Sequence, residues 1–398
     1  MRPVVIDNLP VEGLLAAADR SEGVRVLVLF GTRPEAIKMA PVISALKKTP
    51  GLHPIVCFTG QHRAMALSVM EVFGITPDID LNVMKPGQTL EGLTADLMMA
   101  LQPVFEEHKP DMVLVQGDTT TAMVGALAAF YRHVPVGHVE AGLRTGDMKQ
   151  PWPEEANRRI IGLMAKRHYT PTKLATDNLL REGVPPADIL ETGNPVVDAL
   201  LFMRNRLHTE DALRNKMAGV FDWINPDKKL LLVTGHRRES FGKGFEEICL
   251  AIREIADTTD AEVVYPVHLN PNVREPVNRI LGPASNVRLL EPLAYDEFIY
   301  LMDKSDLILT DSGGIQEEAP SFGTPVLIMR ETSERREAID AGVARLVGAN
   351  AERIVTETRK LLLDEAAYSA MARVHNPFGD GTASLQIAED ILKNASAS

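Results

Sequence analysis

The chain has 398 residues, 45% of them hydrophobic and 24% charged, with a net charge of −12. One hydrophobic core does not normally grow to that length, so two domains are expected. The acidic balance, with no Lys/Arg-rich block, excludes a general nucleic-acid binder, and no apolar run reaches the roughly 20 residues of a membrane span.

Residues 1–23 carry Asp7, Glu12, Asp19 and Glu22. They lack the basic start and apolar centre of a signal peptide, so they read as an N-terminal arm on a cytoplasmic protein. Residues 24–30 (VRVLVLF) predict a strand, and Gly31 then leads into a helix with Ile37, Ala40, Ile43 and Leu46 on one face. PIVCFT predicts a second strand. Helices follow at 63–73 and 89–107, the latter with Leu93, Leu97, Leu101 and Val104 as its apolar stripe. Next come a strand at 111–116, a helix at 120–132 and a strand at 134–139. These strands are continuously apolar rather than alternating, as in a parallel sheet covered on both faces.

The pattern restarts near residue 194, with strands at 229–235, 261–267, 286–291, 306–310, 323–329 and 344–348 and helical stretches between them. The expected fold is therefore α/β, two Rossmann-like doubly wound domains with a cleft between them. The expected division is arm 1–23, first domain 24–193 joined by a C-terminal helix from 380–398, and second domain 194–379. Cys57 and Cys249 read as buried core thiols, in no metal or disulfide spacing.

Ligands of open parallel sheets lie beyond the carboxyl ends of the strands, so the residues just after strands are the candidates. In GTRPEAIK, Pro34 suits the first helical position, which leaves Arg33 on the loop and Lys38 one turn into the helix. A helix start with two cations attracts anions, although this segment alone also describes an ordinary strand–helix turn. QGDTTT puts Asp118 at a strand end, where it equally suits a helix N-cap. Residues 139–159 gather the acids Glu140, Asp147, Glu154 and Glu155 and the bases Arg144, Lys149, Arg158 and Arg159 around Trp152.

The second half offers three more such places. His236, Arg237 and Arg238 follow a strand, and clustered guanidinium forks there suit a diphosphate. In LILTDSGGIQEE, Asp311 and Ser312 end a strand. The amides of Ser312, Gly313 and Gly314 suit a phosphate, and Glu318, one turn further on, suits ribose hydroxyls. The alternative is a helix capped by Ser312 with Gln316, Glu317 and Glu318 on its surface. Arg335 and Arg336 follow in ETSERREA and equally suit a solvated face. No GxGxxG, GxxxxGK[ST] or GxSxG occurs in these turns, so nothing supports NAD, P-loop ATP hydrolysis or a serine nucleophile.

Seven segments in order, FGTRPEAIKMAP, QGDTTT, GHVEAGLRTGD, PWPEEANRR, TGHRRESFGKGFEEI, YPVHLNPNVREPV and TDSGGIQEEAPSFGTPV, resemble the bacterial non-hydrolysing UDP-N-acetylglucosamine 2-epimerases. The resemblance runs from about residue 24 to the C-terminus. It implies the glycosyltransferase-B architecture and reversible conversion of UDP-N-acetylglucosamine to UDP-N-acetylmannosamine. It further implies no cofactor or metal, and a homodimer with a mobile cleft.

By the same resemblance, Asp118, Glu140, Glu154 and His236 match residues with catalytic roles. Arg33, Lys38, Arg158, Phe298, Ser312, Gly313, Gly314, Glu318 and Arg335 match substrate contacts, Phe298 beside the uracil. Gln61, Glu155, Arg237 and His268 match a second, activating UDP-N-acetylglucosamine site of some members, whereas Ala64 and Gly87 depart from their polar residues. Leu293 and Arg336 replace Gln and Pro of close relatives.

The chemistry accounts for several acids. Carbon 2 of the sugar has no adjacent carbonyl, so inversion is expected through loss of UDP to a 2-acetamidoglucal and its re-addition. That route needs proton transfer on both faces and cations for the departing diphosphate. A glycosyltransferase on the same fold and a non-catalytic UDP-sugar sensor are the competing readings. The acid-rich loop favours the epimerase, because a transferase needs an acceptor site and a sensor gains nothing from acids beside a diphosphate.

Overall fold

The structure is a computed structural model that describes residues 23–61, 63–373 and 375–396. The expected arm, apart from Gly23, and the side chain of Arg238 lie outside the described residues. The first sheet contains β1 (Val24–Phe30), β2 (Leu52–Phe58), β3 (Ile79–Asp80), β4 (Met112–Gln116), β5 (Val136–Val139), β6 (Arg167–Thr170) and β7 (Ile189–Glu191). The second contains β8 (Leu230–Thr234), β9 (Glu262–Pro266), β10 (Val287–Leu290), β11 (Leu307–Thr310), β12 (Val326–Ile328) and β13 (Ala344–Leu346). Every pairing is parallel, in the orders β3-β2-β1-β4-β5-β6-β7 and β10-β9-β8-β11-β12-β13.

The apolar runs form the sheet centres for the expected reason. β4 and β11 are buried along their whole length, so only continuously apolar sequences fit them. The helix Leu90–His108 buries Leu93, Leu97, Leu101 and Val104, the stripe read from the sequence. β3, β6 and β7 escaped the periodicity argument. They are short and towards the sheet edges, and β6 carries His168 and Tyr169, which the fold buries nonetheless.

The strand order reverses between β1 and β4 in the first sheet and between β8 and β11 in the second. A crevice opens at such switch points. The loop that leads to Arg33 and the loop bearing Asp118 therefore flank one crevice, and those bearing His236 and Ser312 flank the other.

The helix Pro195–Thr209 packs on the helix Arg33–Lys48, and its Val196, Val197, Leu200 and Met203 belong to a core shared by both sheets. Nearby, the Phe73 ring stacks on Phe202 at 5.3 Å and meets Tyr295 at 5.7 Å. The last helix, Ala383–Ser396, lies on the helix Arg33–Lys48, with Ile387, Ala388 and Ile391 buried and Asp390 accepting from Arg167 and from Tyr169 Oη (3.0 Å).

Candidate active site

The first wall of the cleft begins after β1. Gly31 is there because of space: a Cβ would stand 2.1 Å from Thr59 Oγ1. The helix starts one residue earlier than expected, with Thr32 as its cap, so Arg33 is in the first turn rather than on the loop. The reason is a capping box, Thr32–x–x–Glu35. The Glu35 carboxylate accepts from Thr32 N (2.8 Å), Gly31 N (3.1 Å) and Thr119 Oγ1 (2.7 Å), and so ties the loop after β1 to the loop after β4.

After β4, the cap of the next helix is Thr119, not Asp118. Asp118 is thereby left to the cleft. Its Oδ2 accepts from Arg158 Nε at 2.8 Å, and its backbone carbonyl accepts from Asn157 at 2.8 Å. Burial raises the Asp118 carboxyl above the ordinary range, while the Arg158 charge opposes that rise.

Glu140 follows β5 with a φ of +63°, a left-handed conformation that costs a non-glycine residue about 1–2 kcal/mol. Its side chain explains why the cost is tolerated. Oε1 lies 2.5 Å from Lys38 Nζ and accepts from Asn194 at 2.9 Å, and Oε2 accepts from Gln116. Burial pushes the Glu140 carboxyl up, but Lys38 and Arg335 outweigh it and hold the group below the usual range.

The acid-rich loop then passes through cis Gln150–Pro151 and Trp152–Pro153 peptides into the helix Glu154–Met164. Glu154 Oε2 is buried with no hydrogen-bond partner among the described residues. Glu155 is fully buried instead, accepting from Thr145 N, Arg158 and Arg159.

The second lobe supplies cations. The alternative reading of the Ser312 segment fails twice: the Ser312 side chain makes no cap bond to the helix Gly313–Glu318, and Gln316, Glu317 and Glu318 are buried. Arg335 donates through Nε to Glu317, which also accepts from Asn194 at 2.8 Å. Burial would depress the Arg335 guanidinium, but Glu317 and Glu140 more than offset it and hold the proton firmly. A side chain on Gly313 would meet guanidinium atoms of Arg335 and Arg237 at 3.8 and 3.9 Å, so two cations face this helix start. Arg336 begins the helix Arg336–Asp340.

Burial and the neighbouring Glu317 push Glu318 up to about 8, against Lys38 and Arg33. Asp311 holds the His236 loop, accepting from His236 N (2.7 Å) and Arg237 N (2.8 Å). The His236 ring stacks on His268 at 5.4 Å.

A cavity of about 420 Å³ collects Lys38, Gln61, Asp118, Glu140, Glu154 and Arg335 on one surface. Arg158 stands behind it on Asp118, and the Glu318 charge acts on Arg33 across the lobes. His236 and Arg237 follow β8 and His268 follows β9, and Phe298 is half-buried in the helix Tyr295–Lys304. Among the described residues no group of three or more His, Cys, Asp or Glu side chains is placed to hold a metal ion.

A family model described as UDP-N-acetylglucosamine 2-epimerase matches residues 44–392. The chain belongs to that family. The Escherichia coli K12 UDP-N-acetylglucosamine 2-epimerase is 57% identical over 93% of this chain and 99% of its own. The Salmonella typhimurium LT2 enzyme is 56% identical over 91% of this chain and 97% of its own. The crystal structure of the Neisseria meningitidis UDP-GlcNAc 2-epimerase superposes with a TM-score of 0.88 at 47% identity, covering 93% of this chain and all of that one. The fold of this epimerase family is thus the two-sheet glycosyltransferase-B arrangement.

Residue reasoning missed Glu35, Gln116, Asn194 and Glu317 as members of the site. The Thr32–x–x–Glu35 spacing was a legible signal. Asn194 was hidden because β7, which delivers it, was not recognised. Glu317 was hidden because its partners Asn194 and Arg335, 123 and 18 positions away, are brought to it only by the tertiary fold.

Proposed function

We propose that the chain interconverts UDP-N-acetylglucosamine and UDP-N-acetylmannosamine without hydrolysis, by elimination and re-addition of UDP. The observation that carries this reading is one cavity surface on which Asp118, Glu140 and Glu154 stand beside Lys38 and Arg335. The substrate is supported by the Neisseria meningitidis relative, whose structure is bound to UDP-GlcNAc, and by the Methanocaldococcus jannaschii relative, in complex with UDP-GlcNAc and UDP.

In the forward half-reaction a carboxylate takes the carbon-2 proton, the C–H electron pair becomes the carbon 1–carbon 2 double bond, and the bond from carbon 1 to UDP breaks. Re-addition reverses these steps with the proton delivered to the opposite face. Asp118, Glu140, Glu154 and His236 are the acid–base groups of this scheme. Arg33, Lys38, Arg237 and Arg335 offset the charge growing on the departing diphosphate. The amides of Ser312, Gly313 and Gly314 receive phosphate oxygens, Glu318 the ribose, and Phe298 lies beside the uracil. Arg158 keeps Asp118 ionisable. Gln61, Arg237 and His268 are read as contacts for a second sugar nucleotide, with Glu155 acting through Arg158.

The lobes of this scheme are 24–193 with 380–398, and 194–379. We also propose a homodimer: Met99, Phe130 and Leu163 are 68%, 54% and 87% exposed on three adjacent helices of the first lobe. No helix among the described residues is long and apolar enough to cross a membrane. A cytoplasmic place is supported by the two buried, unpaired cysteines, and the product would feed cell-surface polysaccharide synthesis.

Incubation with UDP-N-acetylglucosamine alone in heavy water tests the reaction. Deuterium at carbon 2 and a second UDP-sugar are expected. Exchange that requires an added acceptor, or none at all, overturns the proposal.

A further inference from the structure

Asp311 is the most completely enclosed acid of the second lobe, with no exposed surface. It follows β11 at the switch point, and its neighbour strand β8 delivers His236. One oxygen, Oδ2, is fully used by the backbone N–H groups of His236 and Arg237, at 2.7 and 2.8 Å. The other, Oδ1, lies 3.3 Å from His236 Nδ1 and has no hydrogen-bond partner among the described residues. A buried carboxylate oxygen without a partner is costly, and the imidazole is the group within reach. The distance is long for a hydrogen bond, as such contacts often are before substrate tightens them.

The rest of the ring's surroundings fix its plane. His268 stacks on it at 5.4 Å with 17° between planes, so rotation out of the Asp311 direction would break that stack. The charged or titratable groups facing the ring are Asp311, Arg237 and His268, and burial, the strongest influence, favours the neutral imidazole. Nε2 makes no hydrogen bond among the described residues.

We propose that Asp311 is the positioning residue of His236, holding its proton on Nδ1 so that Nε2 is the lone-pair nitrogen presented to the cleft. A neutral imidazole has two tautomers, and only a partner on one nitrogen selects between them. When Nε2 takes up a proton, the same carboxylate offsets the imidazolium charge. Asp311 touches no reacting atom, and its effect passes through His236. The proposal rests on His236 working in the epimerase reaction only for its kinetic consequence. The tautomer itself is a property of the protein.

The first measurement is therefore on the free enzyme. Nitrogen-15 histidine spectra, with His236 assigned by its loss in His236→Gln, are expected to show the Nδ1–H tautomer. In Asp311→Asn the side-chain carbonyl keeps the two backbone bonds and the amide NH₂ replaces Oδ1, so the proton moves to Nε2. A wild-type ring carrying its proton on Nε2, or a tautomer unchanged in the variant, overturns the proposal.

The kinetic arm compares backgrounds. Asp311→Asn is expected to lower kcat by about 10²-fold or more with KM nearly unchanged. In a His236→Gln background it adds less than about threefold, because residues acting as one unit are not additive. Equal losses in both backgrounds make Asp311 merely structural. If the chain exchanges no deuterium into its substrate, the spectra still decide the tautomer.

Discussion

Lys38 Nζ lies 2.5 Å from Glu140 Oε1, and both side chains are nearly closed off from water, at 14% and 5% exposure. The two residues are 102 positions apart, Lys38 in the helix that follows β1 and Glu140 directly after β5. Their pairing ties that helix to the loop after β5. Burial lowers the Lys38 ammonium, and Glu140, with help from Glu317, more than restores it.

Removing one partner should therefore be worse than removing both. Lys38→Met is expected to destabilise the fold by about 3–5 kcal/mol at neutral pH, and Lys38→Met with Glu140→Gln by much less. The sign with pH follows from Glu140, whose folded carboxyl is held below its unfolded value. Its stabilisation is present above the unfolded value near 4.5 and lost as pH falls through the folded one. Urea unfolding at neutral and acid pH checks this: the gap between Lys38→Met and wild type narrows in acid. A gap that widens in acid contradicts the assignment.

Glu154 differs from Glu155 by one position and by everything that surrounds it. Glu155 is spent on Thr145, Arg158 and Arg159, whereas Glu154 Oε2 meets no partner and lines the cavity. Glu154→Gln is expected to lower kcat by about 10²–10⁴-fold while UDP affinity, measured by calorimetry, stays within about threefold. Parallel loss of both would make Glu154 a structural residue.

Arg158 governs the working range of Asp118. With the guanidinium gone, burial and Glu140 act on Asp118 against Lys38 alone, and its carboxyl rises further. In Arg158→Gln the acid limb of the kcat/KM profile should move upward. An unmoved limb means that Asp118 is not the group whose ionisation the reaction needs.

Glu318 leaves a signature in stability. Its folded carboxyl is pushed up to about 8 from an ordinary 4.5, so between those values the native state holds a proton the unfolded chain has lost. Stability through this group falls as pH rises across that window, by up to about 1.4 kcal/mol per pH unit. Glu318→Gln removes that loss. Relative to wild type the variant should grow more stable from pH 5 to pH 8, read from thermal unfolding at matched ionic strength. A constant difference across the range would place the Glu318 carboxyl in its ordinary range.

The sequence by itself determined the parallel sheets, because continuously apolar strands such as β4 and β11 can exist only with both faces covered. It also pointed to the turns after strands, since ligands of such sheets gather at carboxyl ends and Arg33, Lys38, Asp118, Glu140, His236 and Ser312 all come after strands. The capping box at Thr32 and Glu35 was equally present in it. β6 and β7 were not legible, because strands of three or four residues carrying His, Tyr and Glu have no periodicity to betray them.

Only the tertiary structure decided which charges are working charges. Spacing cannot distinguish Glu154 from Glu155, or say that Glu317 is enclosed between Asn194 and Arg335. Those facts arise from side-chain partners that only the folded chain brings together. Burial and the long-range partners it brings together set the protonation of Glu140, Glu317 and Glu318, and these partners lie up to more than 100 positions apart in the chain.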